Sequence, residues 1–184
     1  MKKTWIIIGI VAVVIVVGLF SYYNKFITQN EQIDGQWAQV EAQYQRRFDL
    51  IPNLVESVKG IMGQEKDVFG MIADARTKYA GAGTVNEKAA AATEVESALS
   101  RLLVVMENYP QLKSAENVNT LMAQLEGTEN RISVERGRFN DEVRNYNVLV
   151  KRFPGNMIAG MFGFSERNYF EATTGSEQAP KVEF

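Results

Sequence analysis

The chain contains neither cysteine nor histidine. Without cysteine there are no disulfides, thiolate metal ligands or thiol nucleophiles, and the redox compartment is left open. Without histidine, several arrangements fall away together: the Ser-His-Asp and Cys-His triads, the HExxH zinc site, a phosphoacceptor histidine and the Glu-x-x-His ligands of di-iron bundles. An enzyme built on carboxylates, or on Tyr and Lys, is still chemically possible, but without its usual helpers. An excess of basic charge is also missing. With 20 basic and 22 acidic residues and a net charge of -2, the chain offers nucleic acid no attracting field, so no nucleic-acid partner is expected. What is present is 184 residues at 46% apolar, enough for one domain with a proper core.

The first feature is a long apolar run. No residue from Thr4 to Asn24 is charged, and Trp5 to Phe20 consists only of Trp, Ile, Val, Ala, Leu, Phe and two glycines. With Ser21, Tyr22 and Tyr23 added, this is about the length that spans a bilayer core. Trp5 at one end and Tyr22 and Tyr23 at the other sit where an aromatic belt meets the two interfaces. Lys2 and Lys3 also suit a cleaved signal peptide, but Leu19-Phe20-Ser21-Tyr22-Tyr23-Asn24 lacks the small residues that cleavage needs, which favours an uncleaved anchor. Lys2 and Lys3 against Lys25 lean towards an amino terminus inside and the bulk of the chain outside the cytoplasm. Gly9 and Gly18 form no small-xxx-small motif.

Beyond Asn24 the pattern becomes amphipathic. Ile33, Trp37, Val40, Tyr44, Ile51, Leu54, Val58 and Ile61 recur at spacings of three and four, with Arg47 in one seam position. Pro52 predicts a kink, or a restart capped by Asp49, and Gly60 and Gly63 bracket the end. A second helix over about 64–79 carries Val68, Ile72, Ala75 and Tyr79. Thr84-Val85-Asn86-Glu87 has the capping-box form and opens a third, with Ala89 to Ala92, Val95, Leu99, Leu102, Leu103 and Met106, closed at Asn108-Tyr109-Pro110. Ser114 offers an N-cap for a fourth, striped by Val118, Leu121, Leu125, Thr128, Ile132, Phe139, Val143, Tyr146 and Leu149. Phe153-Pro154-Gly155 ends it. The run Asn156 to Phe164, rich in Met and Phe and broken by glycine, is a poor helix suited to an interface or to covering a bundle end.

Short connections force neighbouring helices to reverse direction. The chain is therefore read as all-α: an antiparallel up-and-down four-helix bundle, packed in the coiled-coil manner, preceded by a single N-terminal transmembrane helix. Its parts are an anchor at 1–24, the bundle at 25–153, an apolar membrane-proximal segment at 154–172 and a disordered tail at 173–184. Pairing the two long helices over their full lengths sets Arg47 opposite Glu135 and Arg136, and Asn53 opposite Glu129 and Asn130. Tyr44, Arg46, Arg47, Asp49, Pro52, Asn53, Glu129, Asn130, Glu135 and Arg136 are thus the candidate polar layer. Such a layer either fixes helix register or binds a small ligand or ion. Trp5, Tyr22, Tyr23, Met157, Ile158, Met161, Phe162 and Phe164 are the candidate membrane-interface residues. Glu126 and Glu129 share a face without any EF-hand spacing, and the Asn140, Asn145 and Asn147 cluster reads as helix-surface chemistry. No catalytic residue, metal ligand or cofactor is assigned.

Several blocks carry a resemblance. Tyr44-Gln45-Arg46-Arg47-x-Asp49-Leu50-Ile51-Pro52-Asn53-Leu54-Val55-Glu56-x-Val58-Lys59-Gly60, then Ala75-Arg76, Arg101-Leu102-Leu103 and Glu107-x-Tyr109-Pro110-x-Leu112-Lys113, resemble the LemA family of bacterial envelope proteins. Leu125-x-x-Thr128-Glu129-Asn130-Arg131-Ile132, Arg136-x-x-Phe139-Asn140, Val143-x-x-Tyr146-Asn147 and Phe153-Pro154-x-Asn156-x-Ile158-Ala159-x-x-Phe162-Gly163-Phe164 continue it in order. The resemblance implies a membrane-anchored helical bundle with no established enzymatic activity and no cofactor, encoded in many members near membrane proteases or other envelope proteins. The expectation is a non-enzymatic, single-pass protein of the inner (cytoplasmic) membrane, its bundle on the periplasmic side. It would serve as an interaction or self-assembly scaffold, with the lipid bilayer, a second copy and an envelope protein as partners. A sensor binding a small ligand or ion around Arg47 and Glu129 is the alternative.

Overall fold

The computed structural model describes residues 2–63 and 65–170, and the expected tail at 173–184 lies outside them. Among the described residues there are six helices and no strand: α1 (Lys2–Lys59), α2 (Lys66–Gly81), α3 (Val85–Met106), α4 (Pro110–Lys113), α5 (Glu116–Lys151) and α6 (Gly155–Phe162). The chain divides into two compact units. The first comprises residues up to Ala38 together with Gly137–Tyr169; the second comprises Gln39–Arg136 together with Phe170.

α1 is one helix, and the apolar run is its first part. That run is long and apolar enough to cross a membrane, and none of its side chains is buried; Trp5 is 74% exposed. Bare Ile and Val at this density have no aqueous explanation. In the second unit α1 passes through Pro52 unbroken, so Asp49 caps nothing and instead accepts a hydrogen bond from Gln45 Nε2 at 2.8 Å. An interior proline costs a helix about 3 kcal/mol. Here Ile51, Leu54 and Val58, all buried around it, hold the helix together. α1 ends at Lys59, ahead of Gly60, and Met62 in the connection is fully buried.

α2 buries Val68, Ile72 and Ala75. α3 opens on the expected capping box. Thr84 Oγ1 accepts from the Glu87 amide at 3.2 Å, and Glu87 Oε2 accepts from the amides of Thr84 at 3.0 Å and Gly83 at 2.9 Å. Donation from the Gly83 and Thr84 amides holds the Glu87 carboxyl below its ordinary range. Ala89, Ala91 and Ala92 are buried on α3, with side chains small enough to let a neighbouring backbone come close. Leu103, placed in the apolar stripe by its spacing, is 39% exposed. Pro110 stands at the first position of a four-residue helix, where its missing N–H is harmless. Ser114 does not cap α5: its hydroxyl donates to the carbonyls of Pro110 and Gln111, and α5 starts two residues later.

The first unit is built on Phe26. Its ring stacks on Phe164 at 4.8 Å between centroids and meets Tyr146 edge-on at 6.1 Å. Trp37 packs against Phe139 at 5.3 Å. The segment expected to be a poor helix forms α6, which buries Gly155, Ile158 and Ala159 on one face and ends at Gly163, whose φ of 76° glycine adopts without strain. Asn147 is buried, not a surface residue. Its side chain accepts from the Arg167 amide and donates to the Arg167 carbonyl, both at 2.8 Å, as a strand partner would. The Arg167 guanidinium reaches back to Asn30 and Asp34 on α1.

Gly155 is where this unit has no slack. A Cβ there would lie 2.1 Å from the Leu149 carbonyl oxygen, a backbone atom that cannot swing away, and 3.6 Å from the Phe26 ring. Gly155→Ala is therefore expected to destabilise the first unit by about 3 kcal/mol, the upper end of overpacking costs. Urea unfolding should show it, while Gly160→Ala, with open space at its Cβ, leaves stability nearly unchanged.

Candidate functional site: a buried ion-pair layer

Within the second unit, Arg47 is 8% exposed, in the seam position its spacing assigned. Tyr44 lies one turn earlier on the same face of α1 and is buried. The partners come from two other helices. Arg47 Nη1 donates to Glu129 Oε2 of α5 and lies 4.0 Å from Glu96 Oε1 of α3. Arg136 of α5 donates through Nη2 to the same Glu96 oxygen and to the Tyr44 hydroxyl oxygen. Its guanidinium carbon sits 5.3 Å from the centroid of the Tyr44 ring and 4.6 Å from that of Phe170, close enough for cation–π attraction. Two guanidiniums and two carboxylates thus balance, with Glu96 shared between the cations.

The full-length register put Arg47 opposite Glu135 and Arg136. Its ion pair is to Glu129, and Arg136 meets Tyr44 instead. Arg46, Asp49, Asn53 and Asn130 are exposed and stand outside the layer, while Pro52 and Glu135 are half-buried. Glu126 is exposed and Glu129 is held by Arg47, so this carboxylate pair does not converge on a metal; no group of three or more acidic side chains does so among the described residues. Glu96 was the residue that sequence reasoning missed. It follows Val95 at the edge of the α3 stripe, and the clue was electrostatic: two arginines in the interior require a second acid.

Burial pulls Arg47 below the usual arginine range, with the Glu96 charge acting against it. Burial also works against the charge on Arg136, but Tyr44 and Glu96 together hold it above its ordinary value. The Tyr44 phenol is pushed up to about 12 by burial, despite Arg136 beside it. Tyr79 of α2 packs on Phe48 at 4.6 Å and on Tyr44 at 5.3 Å, and burial followed by the Glu41 charge raises its phenol further. Glu41 is itself paired with Lys88. Beside the layer opens a cleft of about 450 Å³, lined by Leu54, Leu99, Leu103 and Leu125 together with Arg47, Glu126 and Glu129. Both carboxylates are committed to guanidiniums, so the ion pairs link α1, α3 and α5.

The candidate interface residues fall into three sets. Met157, Met161 and Phe162 are exposed on α6, and Trp5 is exposed on α1. Ile158 is buried and Phe164 stacks on Phe26, so these two belong to the interior of the first unit. Tyr22 and Tyr23 are half-buried, and Tyr23 meets Phe162 at 5.0 Å and Phe164 at 5.7 Å.

Fold and site together define an all-helical protein with a terminal helix able to cross a membrane and an internal charge-neutral layer. The LemA family model matches residues 36–184, and the chain belongs to the LemA family. It is 26% identical over 192 aligned positions to the magnetosome proteins MamQ 1 and MamQ 2 of Paramagnetospirillum magneticum, covering 90% of this chain and 71% of each relative. The magnetosome protein MamQ of Magnetospirillum gryphiswaldense is 26% identical over 178 positions, covering 83% of this chain and 65% of that protein.

Removing Glu96 leaves the buried Arg47 and the partly buried Arg136 each short of an acceptor. Glu96→Ala is expected to cost about 2–3 kcal/mol, less than a fully buried pair because the carboxylate is partly solvated, and more than Glu129→Ala, which leaves Glu96 near Arg47. Denaturant unfolding of the two variants gives the ranking. Tyr44 supplies a pH dependence. Its folded pKa lies above the ordinary value of 10.0, so its contribution is fully present below pH 10 and is lost as pH rises towards about 12. An absorbance titration should show late-ionising tyrosines coincident with alkaline unfolding, and Tyr44→Phe should remove part of that late step.

Proposed function

We propose that this LemA-family chain is a non-enzymatic, single-pass membrane protein whose helical body serves as an interaction and self-assembly scaffold against the bilayer. In this reading α1, α2, α3 and α5 form an up-and-down four-helix bundle in the second unit, and the ion-pair layer fixes their register. The side of the membrane is the periplasmic one, on the balance of Lys2 and Lys3 against Lys25, and the membrane is the inner one. The observation that carries the reading is the contact of Tyr23 with Phe162. Tyr23 stands at the end of the apolar run, so α6 lies at the level of the membrane interface. There Met161 is 68% exposed, and Met157 and Phe162 are also bare. An apolar face of this kind beside a span belongs in lipid or against another copy.

A second reading is favoured by the cleft beside Arg47. Its leucines, set beside Arg47, Glu126 and Glu129, suit a small ligand or a partner side chain, and occupancy would bias the same three helices.

The scaffold reading is tested by cross-linking full-length protein in vesicles. Met157→Ser with Met161→Ser, two exposed substitutions that leave Gly155, Ile158 and Ala159 in place, should reduce the assembled fraction by about half or more, given the apolar area removed. An unchanged ladder with intact helical content contradicts assembly through α6.

A further inference from the structure

A second cleft, in the first unit, has a different chemistry. It encloses about 510 Å³ and is lined by Tyr22, Lys25 and Gln29 of α1, Arg144 of α5, and Arg152 and Phe153 just beyond it. Three cations therefore face one space. Arg144 is engaged by Asp141 at 3.1 Å, both side chains well exposed, whereas Lys25 and Arg152 have no ion pair among the described residues. The neighbouring Lys151 is different, being paired with Glu166 at 2.7 Å.

Position gives this cleft its meaning. Tyr22 is the last-turn aromatic of the apolar run, and Lys25 follows it by three residues, within about 5 Å along the helix axis at 1.5 Å per residue. Phe153, on the cleft wall, is 75% exposed. Cationic side chains held just above an apolar boundary, with aromatic rings marking that boundary, match an amphiphile whose head is an anion and whose body is hydrocarbon. A soluble anion would use the cations and leave the rings idle.

We propose that the Lys25–Arg144–Arg152 cleft binds the phosphodiester headgroup of an anionic phospholipid, with Tyr22 and Phe153 flanking the start of its acyl chains. The site rests on the membrane-apposed placement of α6 and the anchor end proposed above. It adds to that placement a choice of lipid. A zwitterionic headgroup brings its own cation into the cluster and is disfavoured. Bound lipid would tie α1 to the end of α5, supporting the same joint that Phe26 packs from inside.

The test uses full-length protein in nanodiscs of phosphatidylcholine mixed equally with phosphatidylglycerol, read by lipid retention in native mass spectrometry. About tenfold enrichment of phosphatidylglycerol over phosphatidylcholine is expected, the order that one or two surface cations supply. Lys25→Gln with Arg152→Gln should abolish the enrichment, and Arg131→Gln, an exposed cation of the other unit, should not. Absence of enrichment, or enrichment that persists in the double variant, overturns the site. Displacement of the lipid by inorganic phosphate overturns the lipid assignment in favour of a soluble anion. Because the chain has no native cysteine, Met161→Cys carries a single environment-sensitive dye. A membrane-like dye signal without phosphatidylglycerol preference rejects the headgroup site alone, whereas an aqueous signal rejects the membrane-apposed reading and the site with it.

Discussion

Two guanidiniums in the interior of the second unit impose the constraint from which the rest of that unit follows. Arginine does not shed its proton on burial, so Arg47 and Arg136 require acceptors wherever the helices bring them. The acceptors stand on different elements: Glu96 on α3, Glu129 on α5 and Tyr44 on α1. Sliding any of these helices by one turn would separate a charge from its partner in a medium where an unpaired charge is costly. Apolar side chains such as Leu54, Leu99 and Ile132 supply the driving force of burial but tolerate sliding. In the proposed scaffold the ion-pair layer supplies what they lack, a single permitted register.

The first unit reaches the same end by other means. Phe26 gathers Tyr146 and Phe164 around one ring, and Gly155 lets the α6 start approach the Leu149 carbonyl more closely than any side chain would allow. Asn147 pins the stretch after α6 through the backbone of Arg167. With Ile158 and Phe164 drawn inward and Met157, Met161 and Phe162 left outside, α6 is divided into a packed face and a bare one. Its bare face stands beside Tyr23, which links the packing of this unit to its proposed place at the bilayer.

The sequence told most where one helix decides the matter. The apolar run, the capping box at Thr84 and Glu87 and the stripe through Ile132, Phe139, Val143 and Tyr146 all follow from local periodicity, and Arg47 is visible as a charge in an apolar seam. Contacts between helices were less legible. Glu96 lies at a stripe edge, and nothing local reveals that two arginines of other helices converge on it. The α1–α5 pairing had the right sense but placed Glu135 where Glu129 stands, because periodicity fixes faces and leaves the offset free. Asn147 and Ser114 were misread for a related reason: whether a polar side chain meets water or a backbone depends on a segment that folds back from elsewhere.

The account stands on the claim that Glu96 and Arg136 are coupled across α3 and α5. A double-mutant cycle with Glu96→Ala and Arg136→Ala in the full-length protein, read by denaturant unfolding, tests it directly. A coupling of about 2 kcal/mol is predicted, within the range for residues sharing one buried network. Additive losses, with coupling near zero, would mean that the two side chains lie side by side without holding the helices together, and would contradict the account.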